Sequence, residues 1–382
     1  MTYVTIKQPV QYHQMSIEEF LGLEKEKPSI LNPNETNTRT ERYDVLPYKL
    51  QRGMNIDRKI RILKDFNAKY ADLRAKPRED QYLEHRIPKR TGGFRTINPP
   101  KAEMMQALKE LKLIFENDMK VKYHTSAFAY VKGRCTVDAV KRHQANESKW
   151  FSKLDLHGFF PSTTLEFVMK QFEMIFPFSE IVRRADGREA LHDALELCFL
   201  KGGLPQGSPV SPLITNVMMI PVDFELANMF RDFNKQRFIY TRYADDFIIS
   251  SRYDFKVADV ERAIIDTLKK FEAPFSLNRE KTHYGSNAGH NFMLGTCLNR
   301  ENRITVGAKN KKRFQAMLYS YLADRKNGVY WKLEDVQHME GTRAYYRMVE
   351  GETIDALVNR IGEKFGVDAM ACIKKDLATL VA

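Results

Sequence analysis

The sequence predicts an α+β fold, a β-sheet covered by helices on one face. Two observations carry this. Short β-favouring runs, Trp150 to Leu156 and Arg242-Tyr243-Ala244-Asp245-Asp246-Phe247-Ile248-Ile249, alternate with stretches whose apolar residues recur at helical spacing. In addition, 382 residues with 43% hydrophobic and 29% charged content can bury a sizeable core and fill two or three domains.

Taken in order, Ser16-Ile17-Glu18-Glu19 reads as a capping box, and the polar stretch Pro28 to Thr40 reads as a loop or linker, giving an N-terminal extension over residues 1–55. Ile56, Ile60, Leu63 and Phe66 fit a helix. The turn Lys89-Arg90-Thr91-Gly92-Gly93 then separates Tyr82 to Pro88 from Phe94 to Ile97, as a basic hairpin would. Met104, Leu108, Leu111 and Phe115 define the next helix, with Lys109 and Lys112 on its outer face.

The run from Trp150 reads as a strand that emerges at Asp155. In Gly202-Gly203-Leu204-Pro205-Gln206-Gly207-Ser208-Pro209-Val210-Ser211-Pro212, the glycines permit close backbone approach, and Ser208 and Pro209 are placed to begin a helix toward Met219. Val257, Val260, Ile264, Leu268 and Phe271 make a further amphipathic helix. Phe314, Met317, Leu318, Tyr321 and Leu322 make the last, behind a basic group of Lys309, Lys311, Lys312 and Arg313 that is read either as nucleic-acid contact or as a solvated helix end.

Composition narrows the function. Cys135, Cys198, Cys297 and Cys372 form no CxxC pair and the nine histidines no HExxH spacing, so neither a zinc site nor a disulfide framework is expected. No apolar run approaches the roughly 18 residues of a membrane span, and the first residues lack a signal-peptide layout; no membrane partner and a cytoplasmic location are expected. The net charge of +12 points to a polyanion such as nucleic acid. The first 50 residues hold six of the Lys/Arg and seven of the Asp/Glu, so the excess lies in the remainder.

Asp245 and Asp246 are adjacent carboxylates in an apolar setting, a placement that costs free energy unless a cation sits there. Side chains alternate along a strand, so the pair makes most sense on a tight hairpin beside a divalent metal. A solvated turn is the alternative. Phosphoryl transfer to a 3′-hydroxyl uses two metals about 3.5–4 Å apart, and magnesium takes oxygen ligands, so Asp155 with Asp245 and Asp246 supplies a sufficient set.

In that order, FSKLDLHGFFPST, GGLPQGSPVSPLITN and YTRYADDFIIS resemble motifs A, B and C of the reverse transcriptases. The likeness runs from about Arg86 to about Leu322, and the Tyr-x-Asp-Asp signature with LPQG upstream is specific to that family. It implies a right-hand polymerase fold with fingers at 56–150, an antiparallel palm sheet with helices at 151–300 and a helical thumb and tail at 301–382. It also implies two Mg2+ ions, with Mn2+ able to substitute, held by Asp155 and Asp245 with Asp246 a weaker ligand.

By the same resemblance, Lys89 or Arg90 and Arg95 grip the triphosphate, Leu156 and Gln206 contact the incoming dNTP, and Phe160 is the steric gate against a ribose 2′-hydroxyl. Core packing beside Phe159 is the plain alternative for Phe160. Ser276-Leu277-Asn278-Arg279-Glu280-Lys281-Thr282 is similar to motif D, which makes Lys281 a general acid for the leaving pyrophosphate, or else a solvated loop charge. Phe292-Met293-Leu294-Gly295 resembles the primer grip. Ala127, Tyr130, Gly133 and His143 match a finger segment of bacterial enzymes loosely.

Departures from family patterns bear on the subgroup. LPQG lacks the Ser-Gln ending of diversity-generating enzymes, no Asn-Ala-x-x-His lies between motifs A and B, and Thr305-Val306-Gly307 is not the Val-Thr-Gly of retron enzymes. About sixty residues follow the thumb helix, too few for a maturase domain plus an endonuclease. The chain therefore resembles compact bacterial reverse transcriptases, stand-alone, defence-associated or retron-like, that work with a dedicated non-coding RNA. Implied partners are an RNA template or non-coding RNA, a DNA product and dNTPs, with a homo-oligomer left open. Template-independent or protein-primed synthesis on the same fold is the alternative output, and a non-catalytic RNA-binding scaffold is a third, opposed by the intact Asp155, Asp245, Asp246 and Gln206.

Overall fold

Alternation of apolar and polar residues along Trp150–His157 decides how the central sheet sits, because successive side chains leave a strand on opposite faces. The computed structural model describes residues 42–88, 92–289, 291 and 293–381. The capping box at Ser16, the linker up to Thr40, the hairpin tip Lys89, Arg90 and Thr91, and Phe292 lie outside the described residues.

A hairpin of β1 (His85–Pro88) and β2 (Phe94–Ile97) pairs Arg86 with Thr96 and Ile87 with Arg95, as the basic-hairpin pattern predicts. The main sheet is antiparallel and contains β3 (Trp150–His157), β4 (Phe238–Tyr243), β5 (Asp246–Ser251), β6 (Ser276–Leu277) and β7 (His283–Ser286). Its order is β4-β5-β3-β6, with β7 also paired to β3.

One face of this sheet presents Leu154, Leu156, Phe238, Tyr240, Phe247 and Ile249 to a single large core. Helices α1 (Ile56–Lys69), α2 (Ala102–Leu113), α4 (Leu165–Phe172), α5 (Ala185–Glu196), α6 (Ser211–Met218), α7 (Ile220–Met229) and α8 (Val257–Lys270) complete that core, with α3 (Thr136–Ala145) placed elsewhere. The helices bury the residues their spacing predicts, Ile60, Leu63 and Phe66 on α1 and Val260, Ile264 and Leu268 on α8. Phe247 and Ile249 are wholly buried, each worth about 1.5–3 kcal/mol. Asn55 caps α1 by accepting from the Arg58 amide at 2.9 Å.

Coverage on one face only is corrected by α3. It lies on the second face, where His143 contacts Ser250 Oγ at 2.6 Å and Thr241 Oγ1 at 2.8 Å, and where Val140, Phe151, Ile248, Met293 and Leu298 form a small apolar cluster. Burial pushes the His143 imidazole down to about 3, so it is a neutral packing residue. This cover stops short of the Asp155 end, leaving Tyr243, Asp245 and Asp246 half-exposed.

A hairpin of β8 (Cys297–Leu298) and β9 (Ile304–Thr305) leads into three helices, α9 (Ala308–Lys326), α10 (Leu333–Phe365) and α11 (Ala369–Val381). These share their own core, which includes Phe314, Leu318, Tyr321, Leu322, Val336, Ile354 and Ile361. α10 breaks at Glu350 (φ −145°, ψ 64°), whose carboxylate accepts from Thr305 Oγ1, the Val306 amide and Lys311 Nζ. Lys311 is thereby drawn inward, and the basic group of α9 reduces to Lys309, Lys312 and Arg313 on the surface.

Hairpin, sheet and helical module give the right-hand arrangement of fingers, palm and thumb. All four cysteines are free, Cys198 buried and the others half-buried. No single helix among the described residues is long and apolar enough to cross a membrane. α6 with the run from Ile220 to Asp232 would pass as a bent pair on length and composition alone.

Candidate active site

β4 and β5 are joined by the two-residue turn Ala244-Asp245, with Tyr243 opposite Asp246. Ala244 takes the left-handed conformation (φ 56°), which costs a non-glycine residue about 1–2 kcal/mol and is tolerated where the surroundings enforce it. Across the sheet Asp155 lies directly opposite Asp246, and the Leu156 amide donates to the Asp245 carbonyl at 3.1 Å. A bond flanking the pair in this way marks a non-hydrogen-bonded position, where facing side chains come closest. Asp155 and Asp246 therefore share the open face at short range, with Asp245 on the adjoining turn.

Facing carboxylates repel, and two ammonium groups answer that repulsion. Lys281 Nζ lies 3.0 and 3.1 Å from the two Asp155 oxygens, and Lys153 Nζ lies 3.0 Å from Asp246 Oδ2. Burial, together with Asp246 and Asp155, still holds the Asp245 carboxyl above its ordinary range. Burial likewise raises Asp246 against the pull of Lys153.

Among the described residues no three His, Cys, Asp or Glu side chains are gathered as the shell of one ion; Asp246 and Asp155 are instead paired with Lys153 and Lys281. The donor set nevertheless fits a hard divalent cation. It offers carboxylate oxygens only, converging at one end of one sheet, in a place that already holds two stand-in positive charges.

Around the carboxylates, the other residues that the resemblance names are placed by backbone contacts. Phe160, half-buried, packs edge-on to Phe159 at 5.7 Å between centroids, and its carbonyl accepts from the Leu204 amide at 3.0 Å. A Cβ on Gly203 would stand 2.2 Å from the Pro161 carbonyl oxygen, so only glycine lets the two segments touch. The Gln206 carbonyl accepts from Asn98 just past β2 at 2.7 Å, and a Cβ on Gly207 would meet Ile97. The loop holding Gln206 is thus pinned both to Phe160 and to the hairpin that carries the exposed Arg95.

α6 begins at Ser211, three residues later than the sequence suggests. The preceding segment closes on itself instead, with Ser211 Oγ donating to the Pro205 carbonyl and Pro212 in the first helical turn. The Leu156 side chain belongs to the core, 1% exposed on the face opposite the carboxylates, so only its backbone remains beside them. Lys89 lies outside the described residues. Asp155, Asp245, Asp246 and Lys281 are brought together.

Sequence reasoning missed Lys153 as a site residue. Its position two residues before Asp155 on a strand was the available signal. Tyr130 carries more than its loose motif match suggested. It adopts φ 59°, and burial, then the charge of Asp245 and the Tyr243 phenol, raise its phenol while Arg95 opposes.

Comparison with known proteins bears on the same segment. Residues 87–315, more than half of the chain, match the model of the family described as reverse transcriptase (RNA-dependent DNA polymerase). Retron Ec83 reverse transcriptase of Escherichia coli is 26% identical over 313 residues, covering 79% of this chain and 92% of that protein. Retron Ec73 reverse transcriptase of Escherichia coli is 28% identical over 275 residues, 69% and 82% of the two. Retron Mx65 reverse transcriptase of Myxococcus xanthus is 26% identical over 305 residues, 76% and 66%.

Among solved structures, telomerase from Candida albicans in complex with a fragment of telomeric RNA aligns over 84% of this chain and 63% of that one, with 12% identity and a TM-score of 0.45. The retron relatives agree with the subgroup to which the motifs point, despite the departures at Thr305-Val306-Gly307. With its motif segments matched and its carboxylates gathered at one sheet end, the chain belongs to the reverse transcriptase family, as an RNA-directed DNA polymerase of bacterial, retron-like type.

Proposed function

We propose that this polymerase copies a dedicated non-coding RNA into DNA by two-metal nucleotidyl transfer, as part of a phage-defence system. The observation that carries the chemical part is the facing pair Asp155 and Asp246 beside Asp245, three carboxylates on one sheet end whose charge calls for cations. Mg2+, or Mn2+ in its place, would be held by these three residues, and when bound supplies Lewis acidity for the attacking 3′-hydroxyl and for the phosphates.

The chain's own residues do the rest in this reading. Phe160 closes the space beside the sugar, Gln206 and Arg95 orient the nucleotide and its triphosphate, and Lys281 donates a proton to the departing pyrophosphate. The division proposed with it is fingers over 56–150, palm over 151–300, thumb over 301–382 and an extension over the first 55 residues, of which Tyr43 and Val45 already pack against the main core. A dedicated RNA is supported by the retron relatives, by the net charge of +12 and by surface Lys309, Lys312 and Arg313 at the start of the thumb. The defence role carries over from the stand-alone enzymes that the motifs resemble.

The test is to purify the full chain from its host and sequence its bound nucleic acid before and after adding dNTPs with Mg2+. One RNA species extended into complementary DNA is the expected result. Heterogeneous RNA, or DNA with no complement in the bound RNA, would overturn the dedicated-template reading.

A further inference from the structure

Behind the carboxylate turn, on the core face of the sheet, lies a buried ionic group that substrate cannot touch. Arg242 and Asp223 both have 0% side-chain exposure, and their pairing is bidentate, Nη2 to Oδ2 at 2.7 Å and Nε to Oδ1 at 2.8 Å. The Tyr240 hydroxyl also donates to Asp223 Oδ1, at 2.7 Å. Burial works against the Arg242 charge, and Asp223 more than offsets it, leaving the guanidinium above its ordinary value.

A fully buried ion pair is weak evidence of stabilisation, since apolar replacements of similar volume are often neutral or better. The remaining bonds of this guanidinium show another use. Arg242 Nη1 donates to the carbonyl of Ala244, the left-handed residue of the turn, and to Asn216 Oδ1, each at 3.2 Å. Asn216 sits on α6, directly after the Gln206 loop, and its own amide donates to the Ala129 carbonyl at 2.8 Å, next to Tyr130. The Arg242 backbone adds bonds to Ser126 and Phe128.

We propose that Arg242, oriented by Asp223, is a positioning residue. Its planar fork holds the Ala244-Asp245 turn in its left-handed conformation and ties it, through Asn216, to the nucleotide loop and to Tyr130. The guanidinium geometry is what matters. A lysine would keep the charge and lose the simultaneous bonds. The proposal rests on the reading of Asp245 as a catalytic carboxylate.

The experiment compares the full-length wild type with Arg242→Lys and with the double variant Arg242→Met/Asp223→Leu, and includes Asp245→Asn in parallel. Readouts are thermal midpoint, template-primer affinity, single-nucleotide kcat and KM, and the Mg2+ concentration giving half-maximal rate. The expected result is a folded protein with unchanged template affinity, a kcat lower by about tenfold or more, since a 1 Å misplacement can cost about 100-fold, and a raised Mg2+ requirement.

A folded variant with wild-type kcat and Mg2+ dependence overturns the proposal. Should the double variant fail to fold, Arg242→Lys decides alone. Failure of both to fold also overturns it, by making the group a folding requirement. An active Asp245→Asn refutes the catalytic-site reading itself. An inactive Asp245→Asn beside a fully active Arg242→Lys refutes only the positioning role.

Discussion

Lys281 reaches both oxygens of Asp155, at 3.0 and 3.1 Å, from a short 3-10 turn that follows β6. A free loop charge would make no such bidentate approach, so the lysine belongs to the carboxylate group even though its side chain is 59% exposed. Lys281→Ala should lower kcat by about 100-fold or more while changing the dNTP KM little, as loss of a general acid does. Pre-steady-state incorporation on a fixed primer-template measures this, and an unaltered rate would remove the acid role.

Asp245 binds its proton more tightly folded than unfolded, because burial and its acidic neighbours raise its pKa. The stability associated with that proton is full below the ordinary Asp value of about 3.9 and is lost as pH rises through the raised folded value. Asp245→Asn should therefore melt about 2 °C or more above wild type at pH 7 in chelator, with the gap closing toward pH 4, and should incorporate no nucleotide. Added Mg2+ should raise the wild-type midpoint more than that of the variant. Scanning fluorimetry across pH decides it; a variant that melts below wild type at pH 7 contradicts the electrostatic account.

Phe160 touches Phe159 and, through its carbonyl, the Gln206 loop, while its ring remains half-buried rather than sealed in the core. Phe160→Ala should increase ribonucleotide use relative to deoxynucleotide by about 100-fold, a range that removal of a steric clash can supply. Paired kcat/KM values for rNTP and dNTP give the ratio, and a constant ratio would leave Phe160 with packing alone.

Gly203 has no room for a methyl group against the Pro161 carbonyl oxygen. Gly203→Ala should cost about 1–3 kcal/mol and part the Leu204 amide from the Phe160 carbonyl, raising the dNTP KM as the Gln206 loop shifts. Denaturant melts together with steady-state kinetics check both halves. Wild-type stability would mean that the Pro161 segment yields freely.

Much of the fold was legible because its signals are local. The 3.6-residue spacing of Ile60, Leu63 and Phe66 and of Val260, Ile264 and Leu268, and the glycine-bearing hairpin turn, each reflect their own few residues. The Asp-Asp turn was legible for the same reason. What escaped depends on distant partners. That α3 covers the second face is set by His143 meeting Thr241 and Ser250 about 100 positions later, and Lys153 matters only because β5 places Asp246 beside it. The Leu156 side chain lies in the core, where alternation with Asp155 puts it, so the nucleotide contact that the motif implies would be made by its backbone.

The thumb core built on Phe314, Leu318, Tyr321 and Ile354 shares no buried apolar residue with the core beneath the palm sheet among the described residues. Such a division is expected to give two cooperative blocks with separate opening free energies, which native-state hydrogen exchange would resolve as distinct isotherms; a single isotherm would mean that the two cores open together. If a duplex is drawn across the helical module, loosening that block alone would leave the strands that carry Asp155 and Asp246 in register.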